Sequence, residues 1–230
     1  RMKVVQAVSG IGMEASGPSY SVPGICRGLK AVGVDVCLLA RMLDGGQALT
    51  FDHVAYPYLR SRFLPGANAP MREGLKRACK DADILHSNGL WNMPSVYPGW
   101  AVKGTNCKLV VAPRGTLALW ALRKGHWKKK IFGWLFQNQV LRRADMFHAT
   151  SEKEYEEIRA QGYRQPVAIV PIGMDVPEFR ISGFAFRVSS SKPSISGSEF
   201  RRKAQEKIDG WLVDVSEERF LSALDGLLAV

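Results

Sequence analysis

Short apolar runs alternate with amphipathic stretches over the first 180 residues. Residues 4–8 are β-branched and apolar, and a Gly-containing loop follows from Ser9 to Pro18. A helical pattern then runs through Val22, Ile25, Cys26 and Leu29 and ends near Gly33. Residues 34–39 read as a second strand, 53–58 as a third and 71–80 as a helix. A short strand over 83–86 runs into Ser87-Asn88-Gly89, a turn signal. Residues 108–112 form another strand, stopped by Pro113, and two more lie at 146–149 and 167–170, with a charged helix over 152–160 between them. Strands that alternate with helices predict an α/β protein: a Rossmann-like, doubly wound parallel sheet with helices on both faces.

The texture changes after Arg180. Residues 188–198 read VSSSKPSISGS, a Ser/Pro/Gly-rich stretch of linker character. Beyond it, 210–215 suits one strand, and Phe220, Leu221, Leu224, Leu227 and Leu228 fall at helical spacing. So short a segment cannot bury a core of its own. The expected division is a first domain over 1–180, a linker-like segment over 181–208 and a tail over 209–230.

Composition adds little to this picture, and charge adds more. A hydrophobic content of 46% is that of a protein able to build a core, and no apolar run reaches the roughly 18–20 residues that span a bilayer. Cys26, Cys37, Cys79 and Cys107 form no C-x-x-C pair and have no histidine beside them at ligand spacing. Reduced thiols, no metal site and a cytoplasmic location are the expectation. Residues 101–150 hold ten Lys or Arg against one acid, Asp145, which is +9 of the chain's net +11. Such a face attracts phosphates, anionic lipid or nucleic acid, and charge alone does not choose. The chain has no helix-turn-helix, zinc-finger or RRM signature, so a nucleic-acid partner is not expected.

In an open parallel sheet, ligands bind beyond the carboxyl ends of the strands. After the first strand come Gly10, Gly12, Ser16, Gly17 and Ser19, small residues that let backbone approach a ligand ahead of a helix N-terminus. An ordinary strand–helix loop would look the same. The spacing is not the dinucleotide G-x-G-x-x-G, so no NAD cofactor is expected. His86 ends a strand ahead of Asn88, Gly89 and Trp91, where an imidazole could bond a sugar hydroxyl or a phosphate. The other histidines, His53, His126 and His148, read as structural. Arg114 and Gly115 follow the next strand, an arginine able to pair with phosphate or carboxylate beside a residue that keeps the loop close. Ser151 opens a later helix as an N-cap whose end could face the same cleft.

Between Arg123 and Phe136, Lys124, Lys128, Lys129 and Lys130 mix with Trp127, Ile131, Phe132, Trp134, Leu135 and Phe136. Two readings fit: peripheral contact with an anionic membrane, or a core helix with a solvated basic edge. Trp127, Ile131, Trp134 and Leu135 fall at i, i+4, i+7 and i+8, the spacing of a buried face, which favours the core reading.

Five ordered blocks carry a family likeness: GIGMEASGPSYS (10–21), ADILHSNGLW (82–91), VVAPRGTLALWAL (110–122), HATSEKEYEEIRAQG (148–162) and VPIGMDVPE (170–178). Together they resemble the N-terminal, acceptor-side domain of family 4 glycosyltransferases of the GT-B fold, over roughly residues 2–178. The resemblance implies an active site between two Rossmann-like domains, with sugar passing from a nucleotide-sugar to a hydroxyl with retention. It places Gly17 and its neighbours near donor phosphates or acceptor, His86 near the transferring sugar as the catalytic candidate, and Asn88, Gly89, Arg114, Gly115 and Ser151 on the acceptor side. The implied partners are a nucleotide-sugar, as substrate rather than cofactor, and a saccharide or lipid-linked acceptor. The implied location is cytoplasmic, with a peripheral place at the inner membrane face as an extension.

The departures from the family pattern lie toward the C-terminal end. Ile172 stands where the exit motif has Asn, and neither a basic pair for the diphosphate nor a Glu-x7-Glu motif follows. Residues 209–228 resemble the last strand and helix of the second domain. The resemblance therefore implies a chain lacking most of its donor-binding half, weakly active or inactive alone. The alternative is a non-catalytic remnant that binds a saccharide, an acceptor or a partner.

Overall fold

The computed structural model describes residues 1–12, 17–42, 49–58 and 64–172. The expected linker and tail, over 181–208 and 209–230, lie outside the described residues, as does Ser16. Seven parallel strands form one sheet in the order β3-β2-β1-β4-β5-β6-β7. They are β1 (Lys3–Ile11), β2 (Asp35–Met42), β3 (Asp52–Tyr56), β4 (Ile84–Asn88), β5 (Lys108–Ala112), β6 (Met146–Ala149) and β7 (Val167–Ile169). The strand order reverses between β1 and β4, so connections leave to opposite sides there and a crevice opens at the carboxyl edge.

Both faces are covered, as a doubly wound sheet requires. On one, Val4, Val8, Ile84, Val110 and Met146 pack under α1 (Gly17–Ala31) through its Val22, Cys26 and Leu29. On the other, Val5, Ala7, Leu85, Leu109, Val111 and Phe147 meet α2 (Ala69–Ala78), α3 (Met93–Ala101), α6 (Asn138–Arg143) and α7 (Glu152–Ala160). The four cysteines are free, and Cys26, Cys79 and Cys107 are buried.

Several boundaries differ from those the sequence predicts, each for a local reason. β1 continues to Ile11 instead of stopping at Val8, because pairing with β2 resumes at Ile11 against Met42 after an irregularity. β4 runs on through Asn88, whose partner across the ladder is Ala112, so the Ser87-Asn88-Gly89 turn begins only at Gly89. Helix α3 is not among the elements expected from the sequence, and its Pro94 and Pro98 lower the local helical propensity. Pro94 stands in the first turn, where its missing N–H costs nothing, and Asn92 and Ser95 make a reciprocal capping box. The helix packs closely on α6: a Cβ at Gly99 would lie 2.7 Å from Val140 Cγ2.

The basic aromatic segment departs most. It forms α4 (Leu119–Arg123), α5 (His126–Phe132) and a π-helical turn over Gly133–Gln137 that runs into α6. The core reading of Trp127, Ile131, Trp134 and Leu135 is overturned: their exposures are 64%, 49%, 75% and 45%. The segment holds a second periodic set, Phe132, Phe136 and Val140 with Gly133, Gln137 and Leu141, and that set faces inward. A helix apolar on two sides can turn only one of them to the sheet.

Candidate functional site

The carboxyl edge of the sheet collects unusual backbone. Gly12 after β1, Gly89 and Trp91 after β4, and Arg114 and Gly115 after β5 all have positive φ, at 90°, 87°, 69°, 58° and 72°. For Trp91 and Arg114 this left-handed region is strained, at roughly 1–2 kcal/mol per residue. Strain of this kind persists only where surrounding bonds over-determine it.

Those bonds are present. Trp91 N–H donates to Gln137 Oε1 at 3.1 Å, and its indole Nε1 donates to the Thr116 carbonyl at 3.0 Å. Gln137, fully buried on the π-helical turn, also accepts from Ser95 Oγ at 2.9 Å. The loops after β4 and β5 are thus tied to each other and to α3. Gly89 N–H adds a bond to the Ala112 carbonyl at 2.8 Å.

Arg114 reaches back across the same edge. Its Nε and Nη2 donate to Asn88 Oδ1 at 3.1 and 2.5 Å. Asn88 is buried and commits its own amide to Gln6 Oε1 at 3.0 Å and to the Ala7 and His86 carbonyls at 3.3 Å. It therefore aims the guanidinium and has no amide hydrogen left for a ligand. Arg114 Nη1 is buried and has no hydrogen-bond partner. Burial pulls the guanidinium down to about 10 against the opposing pull of Glu154, so it stays charged at neutral pH.

Glu154 closes the other side. Its buried carboxylate accepts from Gly115 N–H at 2.6 Å through one oxygen, and from Thr150 N–H and Oγ at 2.7 and 2.8 Å through the other. One side chain thereby joins the loops after β5 and β6. Ser151 caps α7, accepting from Glu154 N–H at 3.3 Å.

His86 lies one layer beneath. It is fully buried within β4, and its Nε2 stands 3.2 Å from His148 Nδ1 on β6. His148 Nε2 lies 2.9 Å from the Val170 carbonyl, which can only accept, so His148 carries its proton on Nε2. His148 Nδ1 is then an acceptor, and His86 Nε2 donates to it. Burial pulls both rings below the usual imidazole range, reinforced at His86 by His148 and then Arg114; His148 falls to about 3, lowered further by Arg114. Both are neutral at physiological pH.

The residues after β1 are spread more widely. Gly10 is buried in the strand, and a Cβ there would meet Tyr58 Oη at 1.8 Å, so its smallness admits the tyrosine. Gly12 is exposed at the edge. Gly17 and Ser19 open α1, where Ser21 Oγ donates to the Gly17 carbonyl at 3.0 Å. The structure thus gathers Asn88, Gly89, Arg114 and Gly115 directly, Ser151 through Glu154, and His86 through His148.

Residues 16–173 match the glycosyl transferase 4-like domain. The chain belongs to that family. No curated protein matches it. In solved structures its fold is that of one GT-B half. It resembles Anabaena HepE in complex with UDP and glucose, with TM-score 0.52 and 14% identity over 76% of this chain and 45% of that one. It resembles the S. aureus MnaA–UDP co-structure, with TM-score 0.51 and 11% identity over 74% and 45%. The lipopolysaccharide outer core galactosyltransferase WaaB, in its apo form, gives TM-score 0.51 and 13% identity over 74% and 45%. The chain spans less than half the length of these structures.

In this glycosyl transferase 4-like domain, four residues of the cluster escaped the sequence reading. Gln6 and Gln137 are polar positions inside apolar elements, and only burial marks them. His148 was set aside as structural because no polar loop surrounds it. Glu154 had a signal: Ser151-x-x-Glu154 is a capping-box pattern, although its carboxylate serves Thr150 and Gly115 instead of the Ser151 N–H. Among the described residues, no three His, Cys, Asp or Glu side chains stand together as a metal site.

Proposed function

We propose that this chain is the acceptor-side domain of a glycosyltransferase that moves a sugar from a nucleotide-sugar to a hydroxyl of a saccharide or lipid-linked acceptor, with retention at the anomeric carbon. The observation that carries the reading is Arg114. A cationic side chain held by Asn88 at the β1/β4 crevice, with Nη1 buried and unsatisfied, is built for an oxygen-rich ligand. Family membership and the UDP seen in two structures of like fold support the class of that ligand.

In this reading Arg114 and the backbone at Gly12, Gly89 and Gly115 line the ligand side, and Ser151 sits at the rim. His86 and His148 act as positioning residues: they are enclosed and neutral, and they add no second charge beneath the arginine. Arg114 offers one contact to the diphosphate, but the leaving group needs further positive charge and N–H donors from a donor-binding half, and donor and acceptor must be held in register. The chain alone is therefore weakly active or inactive.

A thermal-shift panel of UDP, GDP, ADP and their sugar conjugates tests this, run on the native chain and on Arg114→Met. A ligand at about 100 times its dissociation constant adds about 2.7 kcal/mol. One nucleotide raising the melting temperature of the native chain, but not of Arg114→Met, is the expected result. No shift with any nucleotide would favour the non-catalytic, acceptor- or partner-binding alternative.

A further inference from the structure

The flank formed by α4, α5 and the π-helical turn inverts the ordinary division of side chains. Trp120, Trp127 and Trp134 recur every seventh residue and are 71%, 64% and 75% exposed. Leu119, Ile131 and Leu135 accompany them at 68%, 49% and 45%. No side chain of α5 is buried. With each tryptophan able to cover on the order of 150–250 Å², the apolar surface shown here is of the order of a few hundred Å², the size of patch that is often functional.

Cations surround it. Arg123, Lys124, Lys128 and Lys130 are exposed, and the Lys128 ammonium lies 5.8 Å from the Trp127 ring centre. Lys129 donates back to the Ala121 carbonyl and so ties α5 to α4. The only acid between Ala101 and Thr150 is Asp145, whose carboxylate accepts from Leu109 N–H beside β5 at 2.7 Å.

We infer that this flank is a peripheral docking surface for an anionic lipid bilayer, with the tryptophans and aliphatic residues entering the interface and the lysines pairing with headgroups. Three features select this occupant. Tryptophan prefers the membrane–water boundary, and basic residues beside an apolar helix face suit anionic lipid. The exposed Leu119, Ile131 and Leu135 beside the tryptophans add aliphatic area that suits acyl chains and contributes nothing to base stacking. A second copy docked through the same flank would bring lysine against lysine. No described helix is long and apolar enough to cross a membrane, so the contact is one of lying on the surface. The inference stands apart from the glycosyl-transfer reading, because it uses none of the residues at the sheet's carboxyl edge.

The test is co-sedimentation of the full chain with vesicles of phosphatidylcholine, with and without phosphatidylglycerol. Binding to the anionic vesicles, lost at about 1 M salt where the Debye length is about 3 Å, is expected. The variants W120A/W127A/W134A and K124E/K128E/K130E alter exposed residues and should keep the native circular dichroism and melting temperature. Each is expected to reduce partitioning by more than about tenfold. Should a variant fold poorly, quenching of native tryptophan fluorescence by brominated phosphatidylglycerol supplies an independent readout. The inference is overturned by absence of binding to anionic vesicles, or by binding that survives loss of the three tryptophans. A concentration-dependent dimer, or DNA binding without vesicle binding, abolished by the same variants would also overturn it.

Discussion

Two regions of this domain break the rule that polar groups lie outside and apolar groups inside, and they break it in opposite directions. At the carboxyl edge, Gln6, His86, His148 and Glu154 are buried. On the α4–α5 flank, three tryptophans stand in solvent. Scattered apolar exposure is ordinary; buried polar clusters and large exposed apolar patches are the departures that carry information. The buried cluster is bonded from loop to loop, although Gln6 Nε2, Arg114 Nη1 and Gln137 Nε2 have no partner, and its members hold loops from β4, β5 and β6 in one arrangement. The exposed flank does little for its own fold. One region uses stability to shape a site, and the other leaves apolar surface for something outside the chain.

Substitutions can sharpen or break this contrast. The largest effect is expected at Glu154. Glu154→Ala leaves the Gly115 and Thr150 N–H groups and the Thr150 hydroxyl without their acceptor, and leaves Arg114 without its nearby carboxylate. A loss of about 3 kcal/mol in urea unfolding is expected. A loss below about 0.5 kcal/mol, as for a surface change, would mean the buried cluster is not over-determined.

The histidine pair should appear as a pH slope. Both folded rings sit below the unfolded value of 6.5, His148 at about 3, so below pH 6.5 the unfolded chain binds more protons than the folded one. Stability is therefore full above pH 6.5 and falls as the pH drops toward the folded values, by about 1.4 kcal/mol per pH unit for each histidine. Melting temperatures between about pH 4.5 and 7.5 measure it, and His148→Gln should flatten the slope. A flat native profile would show that the pair titrates normally.

A smaller effect is expected at Gly115, whose φ of 72° suits glycine and where an added Cβ meets nothing within 4 Å. Gly115→Ala should cost about 1 kcal/mol through backbone strain alone. A much larger loss would point to crowding that the geometry does not contain. The smallest effect belongs to the flank. Trp127→Ala should change stability by less than about 0.5 kcal/mol, an unusual result for a tryptophan. A loss of several kcal/mol would place Trp127 in a packed core and remove the contrast between the two regions.

Strands were legible along the chain to within a few residues, because β-branched runs such as Val34–Leu39 are bounded by glycine and polar turns. The approach of Arg114 to Asn88 could be anticipated only as a shared edge, since each follows or ends a strand whose neighbour is set by sheet order. Helix α3 was invisible because two prolines suppress its local propensity, while its capping box and its burial against α2 and α6 outweigh them. The segment containing Trp127 and Trp134 carried two periodic apolar sets, and sequence spacing could not say which one the sheet would accept.

Local pattern by itself therefore determined the class of fold, the strand sequence and the loops from which a site could be built, because side-chain period and turn chemistry act over a few residues. The reversal between β1 and β4, the bridging of β5 and β6 loops by Glu154, the meeting of His86 with His148 across β5, and the outward turn of the tryptophans were decided only by tertiary structure. Each depends on which strands become neighbours and which helix face reaches the core first, and those are contests between distant parts of the chain for the same buried volume.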